Sequence, residues 1–202
     1  DFQLADDALV AVDATSSMGG IELPWNEADV WLASVQKCIG IPAGMGMLIC
    51  SPKALARARE LDRATHYNDV LFLEENRQVF QTQMTPNVLS IYLVYRLTQQ
   101  LPMISEVHRA TLAKMKIWTD FWDNETEFSY LIENPALRLP TVLALTGAPD
   151  KIKQLHQICL IKDIELGKGY GKWKETSFRI ANFPAHTIED IETLIQTIKY
   201  EL

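Results

Sequence analysis

The chain has 202 residues, enough for one or two domains with a sizeable core, and its 48% hydrophobic and 22% charged residues are ordinary for a globular protein. Its 19 basic and 26 acidic residues give a formal net charge of −7 with no dense Lys/Arg block, so nucleic acid is not an expected partner. No apolar run approaches the roughly 20 residues that span a bilayer and no signal-peptide pattern opens the chain, so neither is a membrane.

The chain opens on DFQLADDALVAVDA, without an initiating methionine, and enters a strand pattern within a few residues. The expectation is a processed or partial product. Ala8 to Asp13 is a short, nearly continuous apolar run, the signature of a strand covered on both faces. The polar segment TSSMGGIELPWNEA separates it from a second run, VWLASV at 30–35. The turn IGIPAGMG then leads into a third run, Met45 to Cys50. That connection is too short for a crossover helix, so the third strand is expected antiparallel to the second.

From Pro52 the stretch PKALARARELDRA reads as a helix, with Ser51 as cap and Pro52 at the first helical position. Tyr67 to Gln83 reads as irregular and polar. Thr85–Pro86 is expected to start a long helix with an apolar stripe through Val88, Ile91, Tyr92, Tyr95 and Leu101, and a second long helix covers about Ser105 to Trp122. Beyond Glu127 short strands (128–132, 141–147, Ile164–Gly167, Ser177–Phe183) alternate with a helix over Pro149–Ile161 and a final one opened by Thr187. The pattern predicts two pieces with a boundary near 104: an α/β piece over 1–104 and a smaller α+β domain over 105–202.

Cys38, Cys50 and Cys159 are odd in number and lack a CxxC spacing, which points to reduced thiols in a cytoplasmic setting rather than a disulfide frame or zinc site. The histidines, His66, His108, His156 and His186, have no metal-ligand spacing. Cys38 reads either as a reactive thiol beside Lys37 or as a buried inert one.

Asp13 and Lys37 carry the chemistry. Both fall at the carboxyl ends of predicted parallel strands, the edge of an open α/β sheet where ligands bind. A lysine ending an apolar run is itself unusual, because its ammonium loses hydration there. A carboxylate and an amine at one edge suit pyridoxal phosphate: the amine forms a Schiff base with the aldehyde, and the carboxylate keeps the pyridine nitrogen protonated. A structural salt bridge or two unrelated solvated ends is the competing interpretation of the pair.

VDATSSMGG followed by VQKCIGIPAGMG resembles the lysine region of the class V aminotransferases, members of the fold-type I pyridoxal phosphate enzymes, and SFRIANFPAHTIEDIETL resembles the segment whose arginine holds the substrate carboxylate. The resemblance covers nearly the whole chain, with three motifs in order. It implies a fold-type I α/β large domain with a mostly parallel sheet, followed by a small α+β C-terminal domain. It also implies transfer of an amino group between an amino acid and a 2-oxo acid. Carried over residue by residue, Lys37 becomes the Schiff-base lysine and proton shuttle, and Asp13 the partner of the pyridine nitrogen. Thr15 becomes a hydroxyl beside the cofactor, Gln36 a neighbour of the cofactor phosphate, and Arg179 the fork onto the substrate α-carboxylate. Thr85 becomes a phosphate contact that reaches the neighbouring subunit's site in a homodimer with shared active sites, and a hydroxyl before Pro86 at a helix start also suits an anion.

Gln36–Lys37, where cysteine desulfurases carry His–Lys, points to two subgroups: phosphoserine aminotransferases, acting with 2-oxoglutarate in serine biosynthesis, and alanine:glyoxylate or serine:pyruvate aminotransferases. The first subgroup typically has a His–Arg pair for the substrate phosphate shortly before the carboxylate arginine; here GYGKWKETSFR offers Lys172 and Lys174. Met84 stands where that subgroup usually has Asn. QKCIGIPAGMG leans to the second subgroup and FRIANFPAH to the first. GKGYGKWK (167–174) reads as a mobile loop near the substrate or as a hairpin loop, with no nucleotide-binding fingerprint around it. Family members are considerably longer, and their first half supplies a phosphate turn and a ring-stacking aromatic. The expectation is therefore the C-terminal part of such an enzyme, with a non-catalytic domain of degenerate fold as the reading from another class.

Overall fold

The computed structural model describes residue 5, residues 7–61 and residues 66–202. Two compact units divide between Leu101 and Pro102, except that Ser16–Glu22 and Cys38–Gly40 group with the second unit.

The first unit is built on three strands, β1 (Ala11–Asp13), β2 (Val30–Ser34) and β3 (Gly46–Cys50), in the order β1-β2-β3. β1 and β2 run parallel, with Asp13 opposite Leu32, and β3 returns antiparallel, with Ser34 opposite Gly46, as the short connection requires. The parallel ladder continues one step past β1, where the Ala14 N–H donates to Leu32 O at 2.7 Å. Asp29 ties the opposite edge: Oδ2 accepts from the Val10 N–H at 3.1 Å and Oδ1 from Ser51 Oγ at 2.8 Å. Ser51 Oγ in turn accepts from the Ala54 N–H at 3.0 Å and so caps α1 (Pro52–Leu61), the role read for Ser51. The expected continuation of that helix to 64 lies outside the described residues.

Two expectations change here. The polar stretch after Tyr67 contains a helix, α2 (Val70–Gln78), capped by Asp69, whose Oδ1 accepts from the Leu71 N–H at 2.8 Å. None of its residues is buried; a Glu74–Arg77 pair at 2.6 Å and a Gln78–Glu74 bond at 3.1 Å support it, so it leaves no apolar stripe to read. The next helix, α3 (Val88–Thr98), starts later than Thr85–Pro86: Asn87 is its cap and accepts from the Ser90 N–H at 3.1 Å. Of its expected stripe, Val88, Ile91, Tyr92 and Tyr95 are exposed in this chain, and Leu101 lies beyond its end.

The second unit places α4 (Ile104–Trp122), α5 (Pro149–Ile161) and α6 (Ile188–Glu201) with a four-stranded antiparallel sheet of β4 (Phe128–Tyr130), β5 (Val142–Gly147), β6 (Gly167–Lys168) and β7 (Ser177–Ala181), ordered β4-β5-β7-β6. Trp118, Leu143, Leu145, Leu155, Cys159 and Phe178 are almost wholly excluded from solvent. Each such aliphatic or aromatic side chain is worth about 1.5–3 kcal/mol of transfer free energy. α6 opens on a capping box in which Thr187 Oγ1 accepts from the Asp190 N–H at 3.2 Å and Asp190 Oδ2 from the Thr187 N–H at 2.8 Å.

The expected strand over Ile164–Gly167 shrinks to Gly167–Lys168. Its first residues are taken by the end of α5, where Asp163 adopts φ +58 and the Ile164 N–H reaches back to Cys159 O at 2.9 Å, with Asp163 N–H on Leu160 O at 3.1 Å. This is a Schellman closure made without glycine, and it folds Ile164 onto the core. Gly171–Trp173 forms a short 3-10 turn between β6 and β7, so GKGYGKWK is a hairpin connection.

Candidate active site

Asp13 is the last residue of β1, and Lys37 lies three residues beyond the end of β2. Because β1 and β2 are parallel, both chains leave the sheet at the same, carboxyl edge. The Asp13 carboxylate is exposed and is held below the ordinary carboxylate range, first by the Thr15 hydroxyl and then by the Thr15 N–H, which donates to Oδ1 at 2.9 Å. It therefore stays ionised at neutral pH and can accept from a protonated ring nitrogen. Lys37 is half-buried and Gln36 exposed. The turn that follows Lys37 depends on Gly40 (φ +80) and Gly44 (φ +127), and a side chain built on either would meet nothing within 4 Å. The turn here is shaped by backbone conformation rather than by crowding at its glycines.

Thr85 is exposed and sits two residues before the Asn87 cap, so the N–H groups of α3 are not offered from Thr85 itself. Asp13, Thr15, Gln36, Lys37 and Thr85 all belong to the first unit.

Arg179, Lys172 and Lys174 belong to the second. Arg179 sits mid-strand on β7, opposite Ala144 of β5 and Gly167 of β6. Its Nε donates to Lys168 O at 3.0 Å and its guanidinium lies 4.3 Å from the Tyr170 ring centroid. Among the described residues no carboxylate forms an ion pair with it, so a half-buried, plane-fixed guanidinium is presented to an outside anion, the geometry of a two-point carboxylate contact. Lys172 Nζ stands 4.6 Å over the Trp173 ring, and Lys174 is exposed in the same turn. Tyr170 was not singled out from the sequence; an aromatic between alternating glycines just before the arginine strand was its available signal.

Within the first unit, an ionised Asp13 and a lysine leaving the same sheet edge fit a pyridoxal phosphate donor set. Among the described residues no group of three or more His, Cys, Asp or Glu is placed to hold a metal ion, and no helix is long and apolar enough to cross a membrane. Cys38, Cys50 and Cys159 are in no disulfide, Cys38 and Cys159 are buried, and burial pushes the Cys159 thiol up to about 11.

Residues 3–169 match the family described as Aminotransferase class-V, and the chain belongs to that family. A phosphoserine aminotransferase of Rhodococcus opacus (strain B4) is 28% identical over 208 residues, covering 97% of this chain and 55% of the relative. A solved structure of a phosphoserine aminotransferase from Cytophaga hutchinsonii is 32% identical with a TM-score of 0.83, covering 96% of this chain and 55% of that one. An alanine–glyoxylate aminotransferase from Nostoc sp. shares the fold at 18% identity and a TM-score of 0.80, covering 95% of this chain and 53% of its own. The fold is thus that of the fold-type I aminotransferases, and the chain spans about half the length of the curated relatives it matches.

Proposed function

We propose that the chain serves a pyridoxal-phosphate-dependent aminotransferase, a phosphoserine:2-oxoglutarate aminotransferase of serine biosynthesis, working in the cytoplasm as a homodimer with shared active sites. The observation that carries the reading is the shared carboxyl edge of β1 and β2, from which an ionised Asp13 and Lys37 both emerge. Relatives named phosphoserine aminotransferase that align over 97% of the chain support the choice of substrate class. In this reading residues 1–104 are the C-terminal part of the cofactor-binding large domain and 105–202 the small domain.

The cofactor, when bound, supplies an aldehyde for covalent attachment and a ring that accepts electrons. Lys37 Nζ is the nucleophile toward that aldehyde and moves a proton at the substrate α-carbon. The Asp13 carboxylate holds the ring nitrogen in its protonated form, and Thr15 keeps that carboxylate ionised and aimed. Gln36 would lie near the cofactor phosphate, and Thr85 would contact the phosphate in the neighbouring subunit's site. Arg179 orients the substrate by its α-carboxylate, and Lys172 or Lys174 receives a negatively charged side chain such as a phosphate.

The test is steady-state transamination by the full-length protein with phosphoserine, alanine and serine as donors. Lys172→Ala and Lys174→Ala are expected to weaken phosphoserine turnover selectively and leave alanine and serine nearly untouched. Equal losses on all three donors remove the phosphate role, and faster turnover of alanine with glyoxylate than of phosphoserine with 2-oxoglutarate overturns the substrate assignment.

A further inference from the structure

The chain enters the second unit twice within its first forty residues, each time just after a residue of the candidate cofactor edge: Ser16–Glu22 follows Thr15, and Cys38–Gly40 follows Lys37. The two short segments meet there. Cys38 is 6% exposed and its Sγ donates to Ser16 O at 3.3 Å. Gly20 lies against the same sulfur: a Cβ at position 20 would stand 2.5 Å from Cys38 Sγ, 3.2 Å from Cys38 Cβ and 2.8 Å from Cγ2 of the fully buried Thr141. Gly19, at φ +86, is nearly as tight, with Ile39 Cγ1 3.1 Å from a built Cβ. The crossing therefore has no room for a side chain at position 20. Before Lys37, Gln36 is exposed and Val35 is fully buried, its N–H on Met45 O at 3.3 Å and its carbonyl accepting from the Ile41 N–H at 3.2 Å; further along the turn, Gly40 and Gly44 have open space around them. Of the residues directly bonded to Lys37 in the chain, Gln36 is exposed and Cys38 is the packed one, and Cys38 keeps its seat because position 20 is bare.

We propose that Gly20 is a positioning residue for Lys37. By letting the chain after Thr15 lie directly on Cys38, it joins the segments that follow the two cofactor-edge residues and sets the spacing at which the lysine amine faces Asp13 and Thr15. The inference rests on the reading of Lys37 as the cofactor lysine.

The experiment compares full-length parent protein with Gly20→Ala, Cys38→Ala and the double variant. It measures the affinity for pyridoxal 5′-phosphate by the visible absorbance of the lysine-bound form, the rate of Cys38 alkylation with and without cofactor, and the thermal midpoint. Gly20→Ala is expected to bind cofactor roughly tenfold or more weakly while remaining folded, the scale on which linked sites couple. In the double variant the added methyl occupies the space vacated by the sulfur, and about half or more of that loss is expected to return, a rescue that simple destabilisation does not produce. Cofactor is expected to slow Cys38 alkylation in the parent, because the buried thiol reacts through local opening and a ligand held by the closed form makes that opening rarer. Unchanged cofactor affinity in Gly20→Ala, or no protection of Cys38, overturns the inference and leaves the proposed function standing. A parent protein that develops no lysine-bound absorbance overturns both. If Gly20→Ala does not fold, Cys38→Ala decides alone: weakened affinity in a folded protein sustains the coupling, and parental affinity overturns it.

Discussion

Replacing Arg179 with lysine keeps the charge and removes the fork. In the structure Nε is bonded to Lys168 O at 3.0 Å and the guanidinium face lies 4.3 Å from the Tyr170 ring centroid, so neither contact engages the terminal N–H groups that a carboxylate would take. Lysine loses one of two charge-assisted bonds to the carboxylate, about 1.5–3 kcal/mol. The ring contact is present with or without substrate and drops out of kcat/KM, so the loss corresponds to roughly 13- to 160-fold at 1.36 kcal/mol per decade. The half-exposed setting places the expected loss near the lower end. Steady-state kinetics of Arg179→Lys in the full-length protein is the assay, with phosphoserine, alanine and serine as donors. The α-carboxylate is common to all three, so the loss is expected to be about equal for each. A loss below about threefold, or one confined to a single donor, refutes the carboxylate role.

The other expectations concern how the second unit holds together. Lys114 is buried with Nζ on Phe183 O at 2.7 Å and His186 O at 2.8 Å, so Lys114→Met strands two carbonyls. At about 1–3 kcal/mol for each, partly offset by no longer burying an ammonium, a net loss of about 2–3 kcal/mol and a fall of about 4–12 °C in the thermal midpoint are expected. An unchanged midpoint contradicts it. Asp163→Gly at the φ +58 position relieves a left-handed residue and is expected to add about 0.5–1 kcal/mol, read as a higher denaturant midpoint at unchanged slope. Asp190 is held below its ordinary value of 3.8, first by the Thr187 N–H and then by its hydroxyl. Its contribution is therefore in place above that value and lost as pH falls through the folded one. Asp190→Asn is expected to flatten the acid limb of the stability–pH curve, and a limb of unchanged steepness sinks this account.

Local signals were the legible part of the fold. Ser51 before Pro52, Pro149 at the start of α5 and Thr187 before α6 announce their helices within a few residues, and the structure places the helices there. The antiparallel return of β3 followed from the length of its connection alone. α2 was hidden because its support is a cap and side-chain pairs on an exposed surface. Ile164 was misread because an apolar residue after a helix can close the helix as readily as open a strand. At the site, Asp13, Lys37 and Arg179 stood out by residue type and motif. The partners that act on them at a distance did not, because the fit of Gly20 on Cys38 and Thr141 joins residues far apart in sequence and no spacing rule encodes it. Lys114 did leave a trace, as a lysine among Val107, Thr111, Trp118 and Trp122 on the buried face of α4.

The central claim is that Lys37 is the residue that takes the cofactor. Full-length protein loaded with pyridoxal 5′-phosphate, reduced with borohydride and mapped by peptide mass spectrometry tests it most directly. The account predicts covalent label on Lys37 and its loss in Lys37→Ala; label on another lysine, or on none, contradicts it.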